Sequence, residues 1–322
     1  MGNTGLYLSE ISIGAWLTYG NQLEKKQSHA CLKAAVEEGI NFIDVADIYA
    51  RGKAEEIVGD FMKDYERSDF VISTKVFWPM TDNINDRGLS RKHIMESIDK
   101  SLDRLKMDYV DIYFAHRYDR STPIEETVLA MTDVIEQGKA IYWGTSQWTA
   151  AQIERAYAVA KEMGAIPPSV EQPSYSMLVR TIELEIFETL TYRGMGAVAW
   201  SPLAGGILTG KYLNGIPEDS RAAKVEWMKK ELTPEVLDKV RKLNDIANEL
   251  GVSLSQLALA WVLRRPEMTS AITGATKPEH VKTNVKAIEI KLEKDVLDKI
   301  EEILQNKPKW PKYYSPIDVR SM

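Results

Sequence analysis

The stretch IMESIDKSLDRLKMDYVDIYFAHRYD, residues 94–119, decides how this chain folds. Its first half places Ile94, Ile98, Leu102 and Leu105 three or four residues apart, the spacing of one helix face. In its second half Val110, Ile112, Tyr113, Phe114 and Ala115 make a short, nearly continuous apolar run, which reads as a buried strand. The run ends on His116 and Arg117, with Asp119 close behind. A helix feeding a buried strand that ends on polar residues is one unit of a parallel α/β fold.

The unit recurs. Short β-branched or aromatic runs lie at ISIGAW (11–16), NFIDVA (41–46), FVISTK (70–75), YVDIYF (109–114), AIYWGTS (140–146), SVEQP (169–173), GAVAWS (196–201) and SAITGA (270–275), eight in all. Helical spacing fills the intervals, as near residues 24–38, where Cys31, Ala34 and Ala35 share a face. Four helix starts carry the capping-box pattern: Thr122 with Glu125 (and Pro123 at the first helical position), Thr149 with Gln152, Ser253 with Gln256, and Thr276 with Glu279. Eight strands alternating with helices predict a (β/α)8 TIM barrel. The rival, a doubly wound dinucleotide-binding sheet, needs G-x-G-x-x-G directly after its first strand, and LTYGNQ follows ISIGAW instead.

No low-complexity linker interrupts the alternation, so residues 1–322 read as a single barrel domain. The N-terminal segment covers the barrel, and residues 293–322 read as an extra C-terminal helix with a tail from about 306. Two segments exceed the minimal repeat, 77–90 after the third strand and 203–233 after the seventh. Loops that follow strands lie on the active-site face of such a barrel.

Composition narrows the function. Of 322 residues, 44% are hydrophobic and 27% charged, as in a globular protein with a sizeable core. A net charge of −6, with no basic block, argues against a nucleic-acid surface. One cysteine, Cys31, rules out an internal disulfide and fits a reduced, cytoplasmic setting. The N-terminus lacks the basic and apolar regions of a secretory signal. The longest uncharged run, 194–210, is broken by Pro202 and five glycines, so no membrane insertion is expected.

Two motifs fail on context. Gly194-x-Gly196-x-x-Ala199 precedes a strand instead of following one. Gly205…Gly210-Lys211 resembles a phosphate loop, but Tyr212 stands where magnesium would need Ser or Thr; its bare amides and lysine still suit a phosphate. His29, His93, His116 and His280 lack metal-ligand spacing, so no metal is expected.

The informative residues stand at successive strand ends: Asp44 with Tyr49 five residues on, then Lys75, then His116. Singly, each has an ordinary explanation as a turn residue, a core aromatic, a snorkelling lysine or a satisfied histidine. A barrel brings adjacent strand ends to one place. A tyrosine, with a pKa of about 10, is a poor acid at neutral pH, and a neighbouring ammonium lowers that value. Lys75 can act so on Tyr49, Asp44 can hold Lys75 charged, and His116 can hydrogen-bond a substrate oxygen. Such a set polarises and protonates a carbonyl, and it requires a hydride-donating cofactor.

The spacing Asp44-x-x-x-x-Tyr49 in INFIDVADIYARGKAEEIVG, STK ending at Lys75 and FAHR containing His116 resemble the aldo-keto reductases over nearly the whole chain. AWLTYGNQ, YARGKAE, RGLSRKHI, YWGTSQW, WSPLAGGILTGKY and SRAA resemble the branch that contains voltage-gated potassium channel β subunits. The resemblance implies NADPH or NADH bound in extended form and a small carbonyl substrate. It makes Tyr49 the general acid, Lys75 and Asp44 its activators, and His116 the carbonyl-orienting group. Ser146 and Gln172 would bind the nicotinamide carboxamide, and Trp200 would stack on the ring, with Trp16 and Gln22 lining that end. Ser201, Pro202, Leu203 and Gly205 would follow the pyrophosphate, with Lys211 and Arg221 as cationic partners. Gly274, Thr276, His280 and Asn284 would hold the adenosine end. The sequence departs from the pattern at His280, where many NADPH-preferring members carry arginine, at Thr283 in place of glutamate, and at Asp219 in place of an aromatic residue, though Lys277 adds charge nearby. Trp78 and Trp148, following the third and fifth strands, are expected to form an apolar substrate pocket.

Two functions compete: a working carbonyl reductase, and a cofactor-binding regulatory subunit of a channel. Channel subunits of this kind usually carry asparagine where this chain has His116. They can also carry a long N-terminal extension, whereas this sequence starts on the barrel cover. Both features favour the enzyme. An aldolase or isomerase barrel would leave Trp200 and the pyrophosphate-type loop without a purpose. The oligomeric state stays open, since channel subunits form tetramers and monomeric reductases are common.

Overall fold

The computed structural model describes residues 1–16 and 25–311. Eight parallel strands close into a barrel in chain order: β1 (Ile11–Gly14), β2 (Phe42–Asp44), β3 (Val71–Val76), β4 (Val110–Ala115), β5 (Ala140–Ser146), β6 (Val170–Gln172), β7 (Gly196–Trp200) and β8 (Met268–Thr273), which pairs back to β1. Around them lie α1 (Lys25–Glu37), α2 (Lys53–Met62), α3 (Arg91–Leu105), α4 (Ile124–Glu136), α5 (Ala150–Met163) and α6 (Ile186–Arg193). The later helices are α7 (Arg221–Lys224), α8 (Glu226–Glu231), α9 (Pro234–Glu249), α10 (Leu254–Leu263), α11 (Pro278–Val285) and α12 (Lys294–Leu304). This is the (β/α)8 barrel that the alternation predicts.

The opening stretch shows why. Ser90 accepts the His93 N–H at 3.2 Å and starts α3, whose Ile94, Ile98, Leu102 and Leu105 are buried. The helix stops at Lys106, which turns left-handed and returns its N–H to the Leu102 carbonyl. All six residues of β4 are buried, because the barrel core lies on one face and helices on the other. The interior core holds Phe42, Val71, Ile112, Phe114, Val170, Val198 and Ile272. Met1, Leu6 and Leu8 pack against it. The Asn3 N–H donates to the Gly194 carbonyl at 2.8 Å and the Asn41 amide to the Tyr7 carbonyl at 3.0 Å, so residues 1–10 close the N-terminal end of the barrel.

Several expected details differ. Capping boxes form at Thr149 and Ser253. At α4 the cap position is Pro123 itself, and the Thr122 hydroxyl donates to Asp119 at 2.8 Å instead. At α11 the cap position is Lys277, and Thr276 lies 3.4 Å from His280 Nδ1 without capping the helix. At α4 a loop carboxylate takes the hydroxyl, and at α11 a histidine of the helix's own first turn does. Strand β8 runs 268–273 where 270–275 was expected, its start set by pairing with β7 from Ala197. Segment 203–233 is not plain loop, since it carries α7 and α8. The extra helix α12 is present, with Arg180 donating to Glu301 at 2.7 Å and Asn306 to the Met177 carbonyl at 2.8 Å. Among the described residues no single helix is long and apolar enough to cross a membrane.

Candidate active site

Side chains alternate across a strand, so residues two apart share a face. Ile112 and Phe114 fill the barrel interior, and His116 continues their series past the end of β4. The same step leads from Phe42 to Asp44, from Val71 through Ser73 to Lys75, from Val170 to Gln172, from Val198 to Trp200 and from Ile272 to Gly274. All arrive at the C-terminal mouth. A cavity of about 710 Å³ opens there, lined by Asp44, Tyr49, Trp78, His116, Ser146, Gln172 and Trp200 and also by Lys277, His280 and Asn284. Its size is that of a small-molecule or cofactor site.

Lys75 and Asp44 form an ion pair at 2.7 Å with almost no exposure. Lys75 Nζ also donates to the Val45 carbonyl at 2.7 Å and lies 4.8 Å from the centre of the Tyr49 ring. The other Asp44 oxygen accepts from Ser73 Oγ at 2.7 Å and Gln172 Nε2 at 2.9 Å. Lys75 therefore sits beneath the cavity instead of lining it. Burial lowers its ammonium pKa, and the Asp44 carboxylate opposes that fall. His116 stands edge-on to Tyr49, ring centres 5.9 Å apart, and its Nδ1 is buried without a hydrogen-bond partner. Burial, Lys75 and Arg117 hold the imidazole well below the usual histidine range, so it is neutral at physiological pH.

Tyr49 corrects one expectation. Its hydroxyl pKa is raised, by burial first and then by Asp44 and Asp47, and the cation that opposes this is Arg117, not Lys75. The hydroxyl consequently keeps its proton at rest, the state in which a proton donor must wait.

The loop after Tyr49 holds it in place. Ala50, Arg51 and Gly52 are all left-handed, and a Cβ on Gly52 would come 2.6 Å from Arg104 Cδ. Such conformations persist only where surroundings impose them. Here Arg104 Nε donates to Glu55 at 2.6 Å, Thr74 Oγ1 donates to Glu55 at 2.6 Å, and Ser97 Oγ donates to Asp47 at 3.1 Å. Burial, with Glu55 adding repulsion, pushes the Asp47 carboxyl up to about 8. An unfolded aspartate titrates near about 3.9. Between these values the native state holds a proton that the unfolded state has lost, so this group's contribution to stability falls as pH rises from about 4 to about 8. Asp47→Asn removes that dependence. Its stability relative to the parent is expected to improve from about pH 5 to about pH 8 in urea unfolding; an unchanged difference would contradict the assignment.

Of the other residues singled out in the sequence, Trp16, Ser201, Pro202, Leu203, Gly205, Lys211, Arg221, Gly274 and Thr276 join Ser146, Gln172, Trp200, His280 and Asn284 in the cavity wall. Trp200 and Trp16 meet edge-to-face at 5.7 Å, and Arg221 lies 5.6 Å from the Trp16 ring. Ser201, Ala204, Gly205 and Gly206 are left-handed, and a Cβ on Gly206 would meet Lys211 Nζ at 2.8 Å. Trp78 lines the cavity, 37% exposed. Trp148 does not: it is buried, 4.8 Å edge-on to Tyr118, and so belongs to the core instead of the expected pocket. Gln22 lies outside the described residues.

Sequence reasoning gave no role to Arg117, Ile48, Ser220 or Thr273, which also line the cavity. Arg117 was adjacent to His116 throughout, and adjacency was the available signal. Asp119, which closes the opening stretch, is structural: it accepts N–H bonds from Leu89 at 2.8 Å and Ser121 at 2.8 Å, tying the 77–90 segment to the β4 loop. Among the described residues no three His, Cys, Asp or Glu side chains gather to hold a metal.

A model of the aldo/keto reductase family matches residues 10–305. A protein of Arabidopsis thaliana named probable voltage-gated potassium channel subunit beta is 49% identical over 323 residues, covering 98% of each chain. One of Oryza sativa subsp. japonica with the same name is 48% identical over 323 residues, again 98% of each. A putative voltage-gated potassium channel subunit beta of Schizosaccharomyces pombe is 45% identical over 320 residues, 96% of this chain and 93% of its own.

Proposed function

The chain belongs to the aldo/keto reductase family, and on that premise we propose that it reduces aldehydes or ketones to alcohols with NADPH or NADH. The convergence of Tyr49, the Asp44–Lys75 pair and His116 at the cavity carries this reading.

The residues present fit the cofactor. Trp200 offers an indole face, Ser146 and Gln172 offer hydrogen-bonding groups, and the left-handed turn with Lys211 and Arg221 offers amides and charge to a pyrophosphate. The Ser220 hydroxyl, in the same wall, is buried without a partner. When bound, the reduced nicotinamide supplies a hydride for the carbonyl carbon. Neutral His116 hydrogen-bonds the carbonyl oxygen and holds it beside Tyr49. Tyr49 gives its phenolic proton to that oxygen as negative charge develops there. Lys75, fixed by Asp44, then faces the phenolate left behind, and solvent returns the proton. One hydride and one proton enter the substrate.

The adenosine end favours NADPH. Lys277 and Lys211 both act on His280, whose pKa burial and these two charges depress, and a phosphate placed there would meet the two ammonium groups. Tighter binding of NADPH than NADH is expected from quenching of tryptophan fluorescence, and equal affinities would remove this preference. The setting proposed is the reducing cytoplasm, consistent with one buried thiol, Cys31. The names of the relatives support a second reading, a redox-sensing regulatory subunit with slow turnover. A panel of aldehydes and ketones separates the two. Turnover of at least about 1 s⁻¹ with some member supports the enzyme, and kcat far below that with all of them supports the subunit.

A further inference from the structure

Arg117 is a cation in the cavity that the proposed reduction does not use. Of the five N–H donors of a guanidinium, one goes to the His116 carbonyl. Among the described residues Arg117 forms no ion pair with a carboxylate. The carboxyl whose charge reaches it, Glu171, attracts it without a hydrogen bond and is engaged elsewhere. Glu171 accepts from Thr145 Oγ1 at 2.5 Å and from the Trp148 N–H at 3.3 Å. Asp119 is held by Leu89, Ser121 and Thr122. The guanidinium instead lies 5.7 Å from the Trp78 ring, and both line the cavity beside His116.

The barrel separates this charge from the others. Arg117 follows β4, whereas Lys211 and Arg221 follow β7 and Lys277 follows β8. In a closed ring of eight strands, β4 lies opposite β8. The cations on the far side face the phosphates of the proposed cofactor. At the carbonyl end Lys75 is buried and paired with Asp44, so Arg117 is the cation there that lines the cavity, and its charge acts on both Tyr49 and His116. A half-buried guanidinium with free donors and an aromatic face beside it suits a planar or tetrahedral oxyanion.

We propose that Arg117 recognises an anionic group on the substrate, so that the preferred substrates are aldehydes or ketones carrying a carboxylate or phosphate within a few bonds of the carbonyl. This rests on the reductase reading above. A neutral carbonyl would leave the guanidinium without an ion-paired anion in a partly desolvated pocket.

The test uses cofactor-loaded protein, parent and Arg117→Met and Arg117→Lys variants. Substrates are 4-carboxybenzaldehyde and its neutral isostere 4-nitrobenzaldehyde, with glyceraldehyde 3-phosphate and glyceraldehyde as the phosphate arm. The ratio of kcat/KM for anionic over neutral substrate is expected to fall about ten- to a hundredfold in Arg117→Met, mainly through KM, and less in Arg117→Lys. Whichever pair shows the larger fall identifies carboxylate or phosphate. An equal loss on both members of each pair would mean that Arg117 only supports the His116 carbonyl, and would overturn the proposal. An unchanged ratio would do the same. If no carbonyl is turned over, the reductase reading fails on its own. Calorimetric titration with 4-carboxybenzyl alcohol then decides the anion site: binding lost in Arg117→Met upholds it, and absent or unaltered binding overturns it.

Discussion

Replacing Tyr49 with phenylalanine is expected to lower kcat for carbonyl reduction by about a hundred- to ten-thousandfold, the range that a positioned proton donor contributes. Cofactor affinity should stay close to that of the parent. The change removes one hydroxyl and keeps the ring against Lys75 and His116, so the packing of the site survives. The two measurements are the decay of reduced-nicotinamide absorbance and the fluorescence titration. Full turnover by the phenylalanine variant would mean that the proton comes from elsewhere, with His116 next in line. Neutral His116, its pKa held down by burial and two cations, is a poor substitute, which is why the expected loss is large.

Replacing Asp44 with leucine should be the most destabilising single change at the site, by about 3–5 kcal/mol, because it leaves an uncompensated ammonium in the core. Lys75 is fully buried and its remaining partner would be the Val45 carbonyl. Ser73 Oγ and Gln172 Nε2 would lose their acceptor as well. The double variant Asp44→Leu with Lys75→Met should regain much of the stability while staying inactive, since an apolar pair can replace a buried ion pair at little cost. Urea unfolding and the carbonyl assay together test this. A double variant no more stable than Asp44→Leu would show that the pair is not the source of the loss.

Much of this was legible beforehand, for a physical reason. Strand side chains alternate, so the series Ile112, Phe114, His116 points one way whatever surrounds it. That rule accounts for Asp44, Lys75, His116 and Gln172 at the strand ends; Tyr49 and the loop and helix residues of the cavity wall were legible only through the family resemblance. The misses share a different cause. Thr122 and Thr276 carry the right spacing for a cap, but a hydroxyl bonds the best partner within reach, and here that is Asp119 or His280. Trp148 follows its strand as Trp78 does, yet it is buried against Tyr118 while Trp78 reaches the cavity. The direction of the Tyr49 shift was also missed, because it depends on summed burial and on charges at the ends of two strands, β2 and β4.

What the sequence determined by itself is the fold and the faces: periodicity is a local property, written in spacing between neighbours, and it survives translation into strands and helices. What only the tertiary structure decided is the partner of each charge. His116, Arg117 and Asp119 are nearly adjacent in the chain and met three fates, a neutral imidazole beside Tyr49, a guanidinium without a carboxylate, and a carboxylate pinned by backbone amides. Charge, desolvation and hydrogen bonding are set by whatever the closed barrel brings within a few ångströms, and residues far apart in sequence supply it.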